Sequence, residues 1–187
     1  MDDELVTPFQ DFVELFERLG IPYALIGGLA VSVHGIPRPT HDLDFTISLD
    51  RGRVQVLFEA AAELGYTVSD EFTKGWVDQV GGMPLVRVRQ WLRGRSVDID
   101  IFLAETRLQA SLLARRSRLE VDGVPVWVVS PEDLILLKLI ASRPRDIGDV
   151  MDIFLAQGQL DEEYLRKWAS ELNLLDSLNR VMNEVQF

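Results

Sequence analysis

Apolar positions recur along this chain in two alternating rhythms. Phe9, Phe12, Val13, Phe16 and Leu19 stand at helical spacing, which predicts a helix over 8–19 that Gly20 stops. The short apolar run Tyr23-Ala24-Leu25-Ile26 then meets Gly27-Gly28, and residues 29–34 return to a helical pattern: a strand, a glycine turn and a helix in quick succession. Pro37 and Pro39 bracket a rigid connector. Residues 42–48 alternate polar and apolar positions as a half-buried strand does. An amphipathic helix is predicted over 51–64, ending before Gly65, and 66–82 reads as a hairpin or mobile loop. Strand patterns follow at 84–91 and 96–103, and a helix at about 105–115. The turn Asp122-Gly123 then marks a hairpin.

Near residue 130 the pattern changes. Ser130-Pro131-Glu132-Asp133 supplies a cap, a first-turn proline and early acids, and helices are predicted at 131–142, 146–157, 161–172 and 177–185. The expected architecture is an α+β core over 1–130, a mixed sheet packed by helices. A C-terminal helical region over 131–187 packs on it, with 142–146 as the joint. Stripes such as Leu165, Trp168 and Leu172 read as core closure or as a dimer face. Trp76, Trp91, Trp127 and Trp168 share no spacing and read as core rather than as stacking platforms for bases.

Composition narrows the chemistry. At 187 residues, 47% of them hydrophobic, the chain can bury a core without staples. It has no cysteine and two histidines, which excludes disulfides, a cysteine nucleophile, thiolate metal sites and a histidine-rich zinc centre. It shows neither an apolar run long enough to span a membrane nor a basic, signal-like N-terminus, so a cytoplasmic location is expected. The net charge of −11 disfavours sequence-independent binding to nucleic acid and leaves room for a local basic pocket. Two arginine groups, Arg87, Arg89, Arg93 and Arg95, and Arg115, Arg116 and Arg118, read as solvated faces.

Against that background Asp42 and Asp44 stand out. Residues two apart on a strand share a face, so both carboxylates project together while Leu43 and Phe45 turn inward. Two such anions repel and call for a cation, and for oxygen-only ligands that is Mg²⁺. Asp98 and Asp100 repeat the device between Val97, Ile99 and Ile101. If the two strands are neighbours, three or four carboxylates converge within one metal's reach. A two-metal site for displacement at phosphorus has that form. Gly27-Gly28, between a strand and a helix, offers bare N–H groups to a phosphate or simply makes a tight turn. Lys138 interrupts the otherwise apolar run Leu134–Ala141. Such a lysine either reaches triphosphate or a catalytic aspartate, or forms a buried structural pair. Arg38 and Thr40 precede the Asp42 strand, where they touch phosphate or order the loop. His34 and His41 read as structural.

Taken together, Ile26-Gly27-Gly28-Leu29-Ala30, His34-Gly35, Arg38, Thr40 and Asp42-Leu43-Asp44 resemble the signature of the nucleotidyltransferase superfamily, of DNA-polymerase-β-like fold. The Gly-Gly form with His-Gly and Arg-x-Thr between resembles the branch that contains AbiEii-type toxins and small antibiotic nucleotidyltransferases. Ser130–Leu134, Lys138, Arg143–Asp146 and Asp149-Val150 resemble that branch too, so the likeness covers residues 22–155. It implies Mg²⁺ at Asp42 and Asp44 and a third carboxylate at Asp100 or Asp98, of which Asp100 has the better context. NTP would be gripped by Gly27, Gly28, Arg38, Thr40 and Lys138, and a nucleoside monophosphate would pass to RNA, a protein or a small molecule. A toxin–antitoxin role, with an antitoxin or regulator as partner, also follows from the likeness. Many active members have Gly-Ser at the turn. Gly28 lacks that hydroxyl, so the alternative is an inactive member that binds nucleotide or a partner protein.

Overall fold

The computed structural model describes residues 3–74, 78–80, 82–92 and 94–185, so Trp76 and Arg93 lie outside the described residues. The chain opens with α1 (Asp3–Leu19), which buries Leu5, Phe9, Phe12 and Phe16 along one face. It starts five residues before the predicted boundary and runs through Pro8, which forgoes only the hydrogen bond to the Glu4 carbonyl. β1 (Tyr23–Leu25) leads directly into α2 (Gly27–His34), and β2 (Asp42–Ile47) follows the proline connector. A single 3₁₀ turn (Arg51–Arg53) precedes α3 (Val54–Glu63). The stretch expected to be a hairpin or loop carries β3 (Thr67–Val68), α4 (Asp70–Thr73) and β4 (Asp78–Val80). The long hairpin β5 (Met83–Leu92) and β6 (Arg95–Leu103) is followed by α5 (Arg107–Arg115) and the hairpin β7 (Ser117–Val121) and β8 (Val124–Val128). The chain closes with α6 (Pro131–Ala141), α7 (Pro144–Ala156), α8 (Glu162–Glu171) and α9 (Leu175–Val185).

All strands join one mixed sheet in the order β3-β5-β6-β2-β1-β8-β7, with β4 paired to β5. β2 runs parallel to β6 and β1 parallel to β8; the other pairings are antiparallel. One face is sealed by aromatic packing from α1: Phe16 lies 5.3 Å from Phe45, and Phe12 meets Tyr66 at 5.0 Å. Phe45 and Leu43 point into that layer and are fully buried, so the alternate residues Asp42 and Asp44 emerge on the other face. Above that second face sit α2 and α6.

α6 is apolar on every side because the core surrounds it, with Leu134, Ile135, Leu136 and Leu139 all buried. Its N-terminus is held by the Ser130 hydroxyl, which accepts from the Asp133 N–H at 3.2 Å. The left-handed Ser142 ends it, and α7 restarts at Pro144, two residues before the predicted boundary. Two expectations are corrected on the surface. Trp91 is 67% exposed rather than core. The arginines are not a bare solvated face either. Arg87 and Arg89 pair with carboxylates on β6, Arg115 reaches Glu132 and Asp133, and Arg116 stacks 4.7 Å from the Trp127 ring. Among the described residues no helix is long and apolar enough to cross a membrane.

Candidate active site

The turn after β1 shapes the site first. Ile26 donates its N–H to the Asp44 carbonyl at 2.9 Å, and Gly27 then takes φ +67°, bending the chain into α2 directly over β2. A Cβ on Gly27 would lie 1.9 Å from Asp44 Oδ2, so the glycine leaves the room in which that carboxylate stands. The backbone N–H of Gly28 donates to the same carboxylate. Gly27→Ala therefore meets left-handed strain and a collision with Asp44 together, an expected loss of about 2–4 kcal/mol measurable by thermal melting. At Gly28 a Cβ would fall 2.6 Å from Thr40 Oγ1. The space of a residue-28 side chain is thus filled by the Thr40 hydroxyl, whose own hydrogen bond, to the Asp42 carbonyl, is a long 3.5 Å.

Sheet register brings the remaining groups together. Across β2 and β6, Asp42 stands opposite Asp98 and Asp44 opposite Asp100. Across β6 and β5, Asp98 faces Arg89 and Asp100 faces Arg87. Two rows of charge therefore cross three strands on one face: Arg87, Asp100, Asp44, and Arg89, Asp98, Asp42. Arg87 grips Asp100 with both ends of its fork, Nε to Oδ1 at 2.5 Å and Nη2 to Oδ2 at 2.7 Å. Arg89 does the same to Asp98, at 2.5 and 2.8 Å, and holds that carboxyl below its ordinary range.

One cavity covers the first row. It is lined by Gly27, Gly28, Arg38, Thr40, Asp42, Asp44, Arg87, Asp100, Lys138 and Asp146, with Arg143 and Arg145 also on its wall. Asp98 is not part of that lining, which separates it from the other three carboxylates. The expectation that Asp42, Asp44 and Asp100 already stand within one metal's reach is corrected as well. Among the described residues no three carboxylate or imidazole groups are grouped closely enough to hold an ion. Arg87, on the far side of β6 from β2, occupies both oxygens of Asp100.

Asp42 and Asp44 form no ion pair among the described residues, and Asp44 shows the consequence. Burial, then the charges of Asp100 and Asp42, push its carboxyl up to about 6, against partial relief from Lys138 and the Gly28 N–H. A divalent cation would remove that repulsion, and an all-carboxylate donor set suits Mg²⁺. The residues present fit the metal, provided Asp100 yields part of its grip on Arg87.

Lys138 has partners of its own. Its ammonium lies 3.1 Å from Asp146 Oδ1 and 2.8 Å from Asp149 Oδ2, both buried. Arg38 forks onto both oxygens of Asp149 at 2.6 and 2.7 Å, sharing Oδ2 with Lys138. Burial pushes Asp149 up, but hydrogen bonds from Arg38 and Lys138 hold it below its ordinary range. Of the two readings of Lys138 and Arg38, the structure displays the pairing and loop-ordering ones, while both side chains still border the cavity. His34 is structural: its Nε2 lies 2.7 Å from the Val129 carbonyl oxygen, and burial lowers its pKa.

The sequence reading takes Arg87 for part of a solvated face, offers Arg143 and Asp146 either as part of a network with Lys138 or as the helix joint, and does not single out Arg145 as a cation of the cavity wall. Arg87 alternates with Arg89 as Asp98 does with Asp100, a signal that becomes readable only once the two strands are known to pair.

The chain matches, over residues 3–185, the family described as nucleotidyltransferase of unknown function (DUF6036). No curated protein matches the sequence. Solved structures share the fold, three of them as follows. The antibiotic-resistance factor ANT(2'')-Ia is 16% identical at a TM-score of 0.58, covering 100% of this chain and 97% of that one. An antigenic nucleotidyltransferase-like protein from Paracoccidioides brasiliensis is 20% identical at 0.55, covering 94% and 92%. Lincomycin-bound LnuA, a lincosamide antibiotic adenylyltransferase, is 14% identical at 0.50, covering 81% and 98%.

Proposed function

The chain belongs to that family of nucleotidyltransferases, and from this premise we propose that it moves a nucleoside monophosphate from an NTP to an acceptor in the cavity over Asp44. The observation that carries the reading is the in-register facing of Asp44 and Asp100 beside the Gly27-Gly28 turn. Mg²⁺, held by Asp42 and Asp44 with Asp100 toward a second ion, would supply charge stabilisation at the transferred phosphate.

The chain's own groups divide the rest of the work. The start of α2 turns the positive end of its dipole to the cavity, where a triphosphate is favoured. Thr40 offers a hydroxyl at the place left free by Gly28. Arg143, whose side chain is 69% exposed, and Arg145 stand on the cavity wall as cations for the outer phosphates. Lys138 and Arg38 act on nucleotide through the anchored network at Asp146 and Asp149, which holds the wall in place. Asp100 accepts the proton of the acceptor hydroxyl as that oxygen attacks phosphorus and pyrophosphate leaves.

ANT(2'')-Ia is named an antibiotic-resistance factor and LnuA an antibiotic adenylyltransferase, which supports a small-molecule acceptor. The net charge of −11 weighs in the same direction, against RNA. Purified protein should release pyrophosphate from an NTP in the presence of Mg²⁺ and an acceptor, and lose that activity in EDTA. Labelling of a supplied antibiotic is the result expected of a resistance enzyme. Labelling of a macromolecule in cell extract is that expected of a toxin–antitoxin component. A second reading, nucleotide binding without transfer, is favoured by one observation, the full engagement of Asp100 by Arg87. NTP binding with no pyrophosphate from any acceptor or extract would establish it.

A further inference from the structure

Both oxygens of Asp100 are taken by Arg87, yet Asp100 is the cavity carboxylate that the transfer reading needs free. The guanidinium is not buried in this pairing. Its side chain is 43% exposed while that of Asp100 is 15% exposed, so the arginine can swing into the cavity without leaving a cation stranded in the core. Its alternative carboxylate, Asp98 Oδ2 at 3.8 Å, is already held by Arg89. Asp42, whose charge also acts on Arg87, is taken by the cation in the transfer reading, so when Arg87 leaves Asp100 the anion open to it is one that enters the cavity.

We propose that Arg87 is a positioning residue that exchanges partners during loading: it holds Asp100 before nucleotide arrives and passes to the triphosphate when a divalent cation takes that carboxylate. The inference rests on the nucleotidyl-transfer reading and adds a coupling to it. A cation alone must break a forked, charge-assisted pair with nothing offered to the arginine in return. A cation that arrives with nucleotide leaves Arg87 a new anionic partner. Metal and nucleotide therefore bind cooperatively, each tightening the other by the same factor.

The row below provides the control. Arg89 forks onto Asp98 with nearly the same distances, but Asp98 does not line the cavity. Mn²⁺ binding, followed by calorimetry and by the electron paramagnetic resonance of the free ion, is measured alone and with α,β-methylene-ATP. The proteins compared are wild type, Arg87→Gln, Arg87→Lys and Arg89→Gln. In Arg87→Gln, Mn²⁺ alone is expected to bind about tenfold tighter than in wild type, and the tightening by α,β-methylene-ATP is expected to shrink several-fold. Arg87→Lys, a point charge that cannot occupy both oxygens, falls between. Arg89→Gln behaves as wild type. Unchanged coupling in a folded Arg87→Gln, or an equal effect of Arg89→Gln, overturns the exchange and leaves the transfer reading standing. Wild-type protein that takes up neither Mn²⁺ nor α,β-methylene-ATP overturns both.

Discussion

Asp44→Asn is expected to bring nucleotidyl transfer below detection and, at the same time, to make the protein more stable. The two effects share one cause. Asp44 stands at the centre of the site against Asp42 and Asp100, and burial with those charges lifts its carboxyl from 3.8 to about 6. The folded protein therefore holds the Asp44 proton more tightly than the unfolded chain does. Ionising the group subtracts from stability, not at all below about pH 4 and fully above about pH 6. Wild-type stability loses this contribution as pH rises through that window. Asparagine keeps an oxygen to accept the Gly28 N–H but has no proton to lose, so the difference between the proteins opens across the same window. Because Asp44 borders an open cavity, water screens part of the repulsion, and the gain above pH 7 is about 1–3 kcal/mol. Denaturant titrations of both proteins from pH 4 to pH 8 check it, beside pyrophosphate release. Near-normal turnover in Asp44→Asn would remove Asp44 from the chemistry. A stability difference that does not change with pH would remove the account of its charge.

Lys138→Met is expected to have the largest effect on stability. Methionine suits the apolar surroundings of α6, and a lysine without partners would be improved by it. Lys138 is not without partners. Its ammonium sits between Asp146 and Asp149, and its removal leaves two buried carboxylates short of a cation. Arg38 still holds Asp149, whereas Asp146 keeps the Arg143 backbone N–H at 3.2 Å and the exposed Arg143 side chain at 3.7 Å. The expected cost is about 3–5 kcal/mol, a fall in melting temperature on the order of 10 °C for a domain of this size. Nucleotide-induced stabilisation, measured while the variant is folded, is expected to survive in reduced form, because the wall rather than a phosphate contact is lost. A variant that melts like wild type and no longer responds to Mg²⁺-NTP would reverse the assignment and place Lys138 on the triphosphate.

These two residues also mark where a sequence stops determining a site. Strand alternation is a property of the chain alone, so Asp42 and Asp44 on one face, with Leu43 and Phe45 on the other, follow from residue order. The same holds for the glycine turn, where Gly27 at φ +67° occupies a conformation that side chains rarely accept. It holds too for α6, whose apolar run is broken by Lys138, a lysine that already called for an acid or an anionic ligand beside it. Alternation names a face and not the strand across from it. That Asp100 stands beside Asp44, and Asp98 a row away beside Asp42, is set by the parallel register of β2 on β6. One residue of slip would have turned either pair to the opposite face. The arginines show the limit most plainly. In sequence Arg87 and Arg89 look like a solvated strand face, and only the antiparallel return of β5 along β6 delivers them to Asp100 and Asp98. Asp146 and Asp149 reach Lys138 because α7 folds back after the left-handed Ser142, a tertiary event that no periodicity in α6 contains. The residues able to do the chemistry are written locally. Which charges meet depends on contacts between segments far apart in the chain, whose energies exist only once the sheet has closed.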